Sequence, residues 1–456
     1  MDHRATFFPL FNKNFWRTVT KETLVPYEEE ELPKDKEQFL ESLYEEIILA
    51  QYFPAHPREY LVFNKQNFVA RIVPVFGYRD TAVYFFAVKT IEHHIAVNRT
   101  PGTYGGWRMG NPLRVQENNE FEKMLAAVSE EQEFEDVPSG AANSFDRLAW
   151  IRHWKDFQQK AWVHGQREEF NIVVKFDIAN FYDSINLNLL EKEIRLLVSQ
   201  DEQFVVDLLF HFLHSWNRRF EGYYTKSVGL PQDEIGDMSR ILANFYLQEA
   251  DKRLREICDD REAAFLRYSD DYLVYAPSRK VAKEILFEMS KELFKLNLNI
   301  NSGKTKFWSK EEFETYWAFE IFRLLEDLSD KDSVTQAVEM FRQWTEEKGK
   351  DFRDDSVMKR LLSIDYELLP PELRHWLWTR FLSKEYLSNI KLWSLKRLYE
   401  GFPEQQREEL FNVLDELIEE VRFNTFHYAV LNFYRKVRPG YNESVLWEKI
   451  KSLKIA

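Results

Sequence analysis

Two strand-like stretches that end in aspartate constrain the fold of this chain more than any other feature. Residues 265–276 place apolar and aromatic residues on both sides of a Ser-Asp-Asp tip, a pattern typical of a β-hairpin with a tight turn. Aspartate is common in ordinary turns, so this hairpin alone indicates no function. Residues 171–176 form a second strand-like run, which ends at Asp177. Two strands that end in carboxylates, far apart in the sequence, are what a two-metal phosphoryl-transfer site requires.

The composition limits the class of protein. A chain of 456 residues can hold two or three domains with large cores. The single cysteine, Cys258, excludes a disulfide framework and a cysteine-rich zinc site, and it fits a reducing cytosol. The first residues lack a secretory pattern, and no apolar run is long enough to span a bilayer. We therefore expect a cytoplasmic protein without a membrane partner.

The charge does not exclude an enzyme that acts on nucleic acid. A net charge of −14 argues weakly against a nucleic-acid partner. Binding depends, however, on the local charge of a groove, and a metal site built from carboxylates is itself negative. The acidic runs at 28–31 and 130–136 are typical of solvated surfaces or loops, so they do not indicate a site.

The spacing of apolar residues predicts how the chain is organised. It predicts a helix over 36–50, and strand patterns follow over 59–63 and 68–75. Residues 102–110 form a glycine-rich cluster without the Lys-Ser/Thr of a phosphate loop, so we predict a mobile loop there. Beyond about residue 320 the pattern is nearly all helical.

The carboxylates have a specific chemical interpretation. If their strands are neighbours, Asp177 and Asp270 could hold two hard divalent cations roughly 3.5–4 Å apart. One ion would lower the pKa of a primer 3′-hydroxyl, and the other would stabilise the leaving pyrophosphate. Phosphoryl transfer needs little covalent help from a protein, so carboxylates and positioning suffice. Asp271 either assists a metal or orients the turn.

Three further side chains are candidates for contact with the incoming nucleotide. Tyr182, five residues after Asp177, would lie under its sugar and could reject a 2′-hydroxyl by bulk. Arg71 and Arg79 are candidate triphosphate ligands, because the planar fork of arginine pairs well with phosphate. The alternative for both arginines is an ordinary surface ion pair.

These residues resemble the palm of reverse transcriptases. Residues 176–185 look like the first carboxylate motif of that family, and residues 229–244 look like its nucleotide- and template-contacting motif. Residues 268–271 stand in for its Tyr-x-Asp-Asp. Residues 298–305 look like the next motif, whose lysine, here Lys304, faces the leaving group. The glycine at 229 would let a base pair or sugar approach closely.

The resemblance implies an α+β fold with the palm and fingers of a right-hand polymerase and a C-terminal all-helical domain. The expected domains are an N-terminal helical extension over 1–66, fingers and palm over 67–320, and a helical thumb-like domain over 321–456. The cofactors implied are two Mg²⁺ or Mn²⁺ ions. The implied catalytic residues are Asp177, Asp270 and Asp271. The implied metal ligands are Asp177, Ile178, Asp270 and Asp271. The implied nucleotide-binding residues are Arg71, Arg79, Tyr182, Gln232 and Lys304.

Within that family the sequence is most similar to the prokaryotic abortive-infection and defence-associated enzymes of the so-called unknown groups. This similarity rests on the amino-acid sequence of residues 177–185, on the compact palm and on the helical C-terminal extension. It implies deoxynucleotide substrates, a DNA product, and an RNA template, a noncoding RNA or no template at all. It also implies an occasional protein primer and a possible homo-oligomer.

The chain departs from the family pattern, and alternatives stay open. Asp233 replaces the usual glycine, and residues 313–319 stand where a typical primer grip is expected. One alternative is a retron- or intron-type reverse transcriptase, although the C-terminal recognition motif of retron enzymes is missing. Another is a non-catalytic palm that scaffolds RNA or protein. Arg422 and His427 have the spacing of a helical ribonuclease motif, which also arises easily by chance.

Overall fold

The structure, a computed structural model, describes residues 2–21, 23–26, 32–65, 69–107, 109, 149–217, 229–232, 238–347 and 350–454. The strands are β1 Glu59–Asn64, β2 Ala70–Val75, β3 Thr103–Tyr104, β4 Ile172–Phe176, β5 Ala264–Tyr268, β6 Asp271–Ala276 and β7 Lys306–Ser309. The helices of the first half are α1 His3–Leu10, α2 Lys13–Lys21, α3 Lys36–Ile48, α4 Tyr78–Val97, α5 Ala149–Gly165, α6 Phe181–Ser184, α7 Leu187–Leu197 and α8 Gln203–Ser215.

The second half is mostly helical. Its helices are α9 Met238–Tyr246, α10 Gln248–Asp259, α11 Arg279–Lys295, α12 Lys310–Tyr316, α13 Phe319–Leu324, α14 Lys331–Glu346, α15 Asp354–Leu361, α16 Pro371–Phe381, α17 Lys384–Leu387, α18 Leu392–Gly401, α19 Glu404–Glu420, α20 Asn424–Val437 and α21 Ser444–Ser452. None of the helices in the described ranges is both long enough and apolar enough to cross a membrane.

The chain divides into two compact units. The first holds the described residues of 1–59, 73–116 and 138–310, and the second holds those of 60–72 and 311–456. The predicted α+β class, with helices in the C-terminal part, is confirmed by these elements. The domain boundaries expected at residues 66 and 320 stay predictions.

A mixed sheet organises the first unit. Its described strands follow the order β3-β5-β6-β4-β7. β5 and β6 form the predicted antiparallel hairpin, β4 pairs antiparallel with both β6 and β7, and β3 runs parallel to β5. Helix α10 packs against β5, while α11 packs against β6 and β4. The side chain of Ser278 caps the first turn of α11 by accepting from the amide of Val281.

Helix α4 is the centre of the apolar core beside this sheet. Its residues are buried on every side between Asp80 and Glu92, and its sequence is apolar all round rather than on one face. It packs against α8 and α9. Such a helix can only lie inside a large core, because an exposed position would leave one of its apolar faces in water.

The glycine-rich cluster differs from its prediction. Residues 103–107 are buried against the sheet and include the short strand β3, so part of the loop predicted over 102–110 is a strand, while its mobility stays a prediction. Arg108 and Gly110 lie outside the described residues. The backbone of Gly105 and Gly106 has φ of +99° and +93°, a conformation that glycine adopts without a steric penalty. The glycines therefore shape a tight buried turn.

In the second unit, residues 60–72 are tied to the start of α20. The side-chain amide of Asn424 donates to the carbonyl of Tyr60 at 2.8 Å, and its carbonyl accepts from the amide of Val62 at 2.7 Å. One side chain thus satisfies two backbone groups of β1, as a neighbouring strand would. The remaining helices bury apolar faces against one another.

Candidate active site

Asp177 and the turn that carries Asp270 lie at the same edge of the sheet. β4 and β6 pair directly, and Phe176 lies opposite Tyr272. Asp177 follows Phe176, and Asp271 precedes Tyr272, so continuing the register by one residue sets the two aspartates opposite each other. Segments almost a hundred residues apart in the chain are therefore brought together by strand pairing.

The carboxylate of Asp177 is buried and only half satisfied. The residue is 5% exposed. Its Oδ2 accepts a hydrogen bond from Nζ of Lys304 at 2.8 Å, whereas its Oδ1 is buried without a hydrogen-bond partner. A buried oxygen with no partner is costly, and native structures rarely contain one without a functional reason. Carboxylate oxygen is the ligand that hard divalent cations prefer, so this side chain fits a metal site.

The backbone after Asp177 presents a further oxygen. Ile178 forms an antiparallel bridge with Ile300, in which Ala179 donates to the carbonyl of Asn299 and Asn301 donates to the carbonyl of Asp177. In this arrangement the N–H and C=O of Ile178 take no part in the bridge and point to the other side of the segment. That side is the one on which β4 pairs with β6. The predicted ligand role of Ile178 is compatible with this direction of its carbonyl.

The turn between β5 and β6 holds the other two aspartates. Ser269 has φ of +56°, the left-handed conformation, which non-glycine residues adopt at a cost of about 1 kcal/mol. Asp270 and Asp271 are both partly exposed. A carboxylate oxygen of Asp271 lies 3.7 Å from Nζ of Lys175, in the neighbouring strand β4. Lysines thus accompany the acids at this edge from two different strand ends.

A fully buried ion pair lies on the inner side of the turn. Arg267 and Asp251 are both 0% exposed, and Nε of Arg267 donates to Oδ1 of Asp251 at 2.9 Å. The hydroxyl of Tyr272 donates to the same oxygen at 3.0 Å. Burial by itself would lower the pKa of Arg267, but the charge of Asp251 outweighs it and raises that pKa. Burial and then the charge of Asp251 raise the pKa of Tyr272, so its hydroxyl stays protonated and donates.

The same guanidinium holds the turn itself. An Nη of Arg267 donates to the carbonyl of Ser269 at 2.7 Å and to Oδ1 of Asn244 at 2.6 Å. The side-chain amide of Asn244 donates in turn to the carbonyls of Gly105 and Gly106, at 2.9 and 2.7 Å. The amide of Ser269 donates to the carbonyl of Tyr104 at 3.2 Å. These bonds fix the strained residue of the turn from both its N–H and its C=O side.

Gly105 is needed where it lies. A Cβ atom there would approach the backbone nitrogen of Ser269 to 2.8 Å, closer than real Cβ contacts. The sequence pattern does not identify four of these residues as functional: Arg267, Asp251, Asn244 and Gly105. One signal was readable, because an arginine between apolar residues in a buried strand requires a buried partner. The identity of that partner depends on the packing of α10 against β5, which the sequence pattern does not reveal.

The motif around residue 229 contacts the motif that follows Asp177. The amide of Leu230 donates to the carbonyl of Tyr182 at 3.0 Å, and a Cβ on Gly229 would come within 2.1 Å of that oxygen. Gly229 is therefore required by contact with protein backbone, which differs from the expected approach of a base pair or sugar. Tyr182 is half-buried, and Gln232 is partly exposed two residues beyond Leu230. Asp233 lies outside the described residues.

Arg79 contacts residues other than the candidate aspartates, and Arg71 is exposed. Arg79, at the start of α4, is paired with the carboxylate of Glu46, donates to the carbonyl of Phe53 at 2.9 Å, and lies over the ring of Tyr52. These contacts match the ordinary ion pair named as its alternative. Arg71 is exposed on β2 and belongs to the second unit. The triphosphate role of both arginines stays a prediction without a supporting contact.

The ribonuclease-like spacing does not form an exposed catalytic pair. His427 is 0% exposed, and its ring nitrogens lie 3.1 Å from the carbonyl oxygens of Phe423 and Ile418. Arg422 is exposed. Burial lowers the pKa of His427, and its hydrogen-bonding groups face backbone. This histidine is a packing residue of α20.

In the described ranges, the one group of three metal-ligating side chains whose ligand atoms come close together does not include the three aspartates. His93, His94 and Glu202 place their ligand atoms within 4.8 Å of one another. Glu202 is already used, because its Oε2 accepts from the amide and hydroxyl of Ser199, which forms a capping box, and lies 2.8 Å from His94. The group closes a helix start and joins two helices, so we assign it no metal.

Known proteins resemble this chain in sequence and, remotely, in structure. The family model described as reverse transcriptase (RNA-dependent DNA polymerase) matches residues 117–347, half of the chain, including all three candidate aspartates and Lys304. The structure of apo telomerase from Candida tropicalis aligns with 11% identity over 82% of this chain and 74% of that one, at a TM-score of 0.35. Telomerase from Candida albicans, in complex with a TWJ fragment of telomeric RNA, aligns with 12% identity over 92% and 71%, at 0.34. The family match alone carries the identification.

Proposed function

This chain belongs to the reverse transcriptase family, and on that premise we propose that Asp177, Asp270 and Asp271 catalyse DNA synthesis by two-metal phosphoryl transfer. The chain is an RNA-directed DNA polymerase, a nucleotidyltransferase whose substrates are nucleotides and whose template is RNA. The mechanism and the biological role are the parts that we propose.

The unpartnered Oδ1 of Asp177 is the observation that carries the mechanism. It lies at the sheet edge where β4 meets the Asp270–Asp271 turn, and it is buried without any hydrogen-bond donor. Burying a carboxylate oxygen without a donor costs free energy, and a bound cation would offset that cost. A cation shared between Asp177 and Asp270 would satisfy it.

The residues of the site have distinct proposed roles. Asp177, the carbonyl of Ile178 and Asp270 would hold Mg²⁺ or Mn²⁺, and Asp271 would assist or orient the turn. When bound, the ions lower the pKa of a primer 3′-hydroxyl and stabilise the leaving pyrophosphate. Lys304 keeps a positive charge beside Asp177 through its exposed ammonium group, which is free to turn toward a leaving phosphate.

Tyr182 and Gln232 would contact the nucleotide. The backbones of their two motifs are joined by the bond from the amide of Leu230 to the carbonyl of Tyr182. We propose that Tyr182 selects the sugar by excluding a 2′-hydroxyl. Tyr182→Ala should then raise the ratio of ribonucleotide to deoxynucleotide incorporation, and an unchanged ratio would exclude this role.

We propose a biological role in anti-phage defence, in which the RNA template is a noncoding RNA or the enzyme also adds nucleotides without copying a template. Support comes from the amino-acid sequence of residues 177–185 and from the helical C-terminal part. A homo-oligomer and a cytoplasmic location belong to the same proposal. A retron- or intron-type enzyme is the alternative within the family, and the nucleic acid that copurifies with the chain would separate the two.

The decisive experiment replaces the turn carboxylates. Purified protein should incorporate deoxynucleotides with Mg²⁺ or Mn²⁺, and Asp270→Asn combined with Asp271→Asn should abolish incorporation. The matched control is Glu408→Gln with Glu409→Gln, a pair of adjacent exposed acids on α19, which should leave activity unchanged. Synthesis that persists in the aspartate double variant would remove the proposed mechanism.

Two further measurements test the biological proposal without repeating the first. Sequencing the copurified nucleic acid reports template, product and primer together. Cells that carry the wild-type chain should form fewer phage plaques than cells that carry the aspartate double variant. Equal plaque counts across a broad phage panel would reject the defence role and leave the polymerase assignment standing.

A further inference from the structure

The turn between β5 and β6, which carries Ser269 and Asp270, is the proposed catalytic turn. A cavity separate from this catalytic turn lies between α5, α10, β3 and β5. Its volume is about 320 Å³, which is within the range of small-ligand sites, about 300 Å³ and above. Residues 263–266, at the beginning of β5, form one wall, whereas the catalytic turn follows the end of that strand. The cavity is therefore at the opposite end of β5 from Asp270, and the mechanism makes no use of it.

Two cationic side chains line this cavity without a carboxylate of their own. In the part of the chain that the structure describes, neither Lys160 nor Arg255 forms an ion pair. Arg255 instead donates to the carbonyl of Pro101 at 2.8 Å, and its guanidinium lies over the ring of Phe265. Asp259 is the acidic residue of the lining. The cationic groups thus outnumber the acidic ones in a chain whose net charge is −14.

His164, near the end of α5, lines the cavity beside these cations. Burial and then the charges of Arg167, Lys160 and Arg255 lower its pKa to about 4, and only Glu169 opposes them. The imidazole is therefore neutral at physiological pH, and its buried Nδ1 has no hydrogen-bond partner. A positive region with an unsatisfied polar atom is complementary to an anion that also forms hydrogen bonds.

The rest of the lining is apolar. Phe265, Leu266 and Ala264 contribute hydrocarbon, and Tyr104 contributes a ring. Cations on one part of a cavity and apolar groups on another fit a molecule with a charged head and a less polar body. We propose that this cavity binds a small organic phosphate, with Lys160 and Arg255 paired to the phosphate and the apolar wall against the organic part.

The same wall supports the catalytic turn from behind. Gly102 and Tyr104 line the cavity, while their carbonyls accept from the amides of Arg267 at 2.8 Å and Ser269 at 3.2 Å. An occupant of the cavity therefore touches the strand that holds the turn. The proposal concerns binding and does not depend on the proposed mechanism, so the two can fail separately.

The single cysteine makes the cavity directly measurable. Cys258 lines it, is 1% exposed and is the chain's only thiol, so alkylation reports on this place alone. Burial raises the pKa of this thiol to about 12, so the reaction with iodoacetamide is slow and its rate can be followed. An occupant should slow the reaction by blocking access to the sulfur.

The experiment uses full-length protein in EDTA, so that metal-dependent binding at the catalytic turn is absent. The probes are deoxyadenosine monophosphate, deoxyadenosine and inorganic pyrophosphate. Saturable protection of Cys258 by the monophosphate, with weaker protection by pyrophosphate and none by the nucleoside, is the expected result. Protection should persist in the Asp270→Asn, Asp271→Asn variant, because the turn does not form the cavity.

Variants decide whether the cations are responsible. Lys160→Gln and Arg255→Gln should each weaken protection by at least about tenfold, the value of one charge-assisted hydrogen bond. Lys252→Gln, an exposed lysine on the same helix as Arg255, should leave protection unchanged. If a variant alters the reactivity of the thiol by itself, equilibrium dialysis of labelled monophosphate measures the dissociation constant directly. The proposal would be overturned if neither phosphate protected Cys258. It would also be overturned if both cation variants were protected as well as the wild-type protein.

Discussion

The inner and outer sides of the catalytic turn both carry cation–carboxylate pairs, and the pairs differ in kind. On the inner side, Arg267 and Asp251 have side chains that are 0% exposed. On the outer side, Lys304 is 60% exposed where it meets Asp177. A buried pair cannot separate without leaving an uncompensated charge in the interior, whereas an exposed ammonium can be rehydrated at little cost.

The inner and outer sides of the turn therefore have different roles. The inner side sets the geometry of the turn, because Arg267 bonds to the carbonyl of Ser269 and to Asn244 at the same time. On the outer side, the partner of Asp177 is an exposed lysine, which the proposed metal binding would displace. Substitutions on the outer side should therefore change activity more than stability, and substitutions on the inner side should change stability first.

The largest effect is expected for Asp177→Asn. Activity should fall roughly a thousandfold or more, because the substitution removes charge at the proposed cation site. The free energy of unfolding should change by less than about 1 kcal/mol, since Lys304 regains water. Primer extension and urea titration measure the two quantities, with exposed Asp207→Asn as the control. A large loss of stability would contradict the division between the two sides.

Asp251→Asn should reverse that pattern. The variant leaves Arg267 buried without its partner, so it should lower the free energy of unfolding by about 3–5 kcal/mol. Its neighbour Lys252→Gln, in an exposed pair with Glu249, should change it by less than about 0.5 kcal/mol. Combining Asp251→Asn with Arg267→Met should recover part of the loss, because no isolated charge remains. A stable Asp251→Asn variant would show that the inner pair is not structural.

Gly105→Ala tests the junction between the two sides. The backbone of Gly105 has φ of +99°, and an added Cβ would meet the amide nitrogen of Ser269. We therefore expect a loss of about 1–3 kcal/mol in stability. Displacement of the turn should also lower activity by roughly tenfold, as small misplacements of reacting groups do. Gly77→Ala, whose Cβ meets nothing within 4 Å, should cost less than about 1 kcal/mol. Unchanged activity would mean that the turn tolerates movement.

The smallest effect is expected for Lys304→Met on metal binding. An exposed ion pair is worth about 0.2–1 kcal/mol, so removing the ammonium should tighten Mn²⁺ binding by no more than about fivefold. The measurement is electron paramagnetic resonance of unbound Mn²⁺ in metal titrations without nucleotide. Lys306→Met, two residues on, should change the affinity by less than about twofold. Weaker Mn²⁺ binding in Lys304→Met would show that the lysine does not compete with the cation.

The sequence predicted what depends on neighbouring residues. The hairpin at 265–276 follows from local alternation around a turn, and its aspartates lie within that same stretch. The helix at Lys36–Ile48 follows from apolar spacing in the same way, whereas the α+β class was implied by the resemblance to reverse transcriptases. The adjacency of β4 and β6 was stated as a condition in the sequence analysis, and strand pairing meets it.

What the sequence could not predict depends on contacts between distant segments. Asn244 bonds to Gly105, 139 residues away, and neither residue shows this in its own surroundings. The glycine-rich cluster looked like a loop because glycine is typical of loops, yet parallel pairing with β5 makes part of it a strand. Arg79 is a candidate phosphate ligand by its chemistry alone, with an ion pair as the alternative, and its observed partner, Glu46, comes from another helix.

The catalytic turn is assembled from pieces spread along the chain, and this has a consequence during synthesis on the ribosome. Tyr104 and Asn244 brace the turn, and Lys304 meets Asp177 only after the last of these segments exists. A nascent chain that ends before residue 304 therefore carries the aspartates but not their complete surroundings. Contacts between such distant segments also form slowly. Under the proposed mechanism, we therefore expect activity only after translation has passed residue 304.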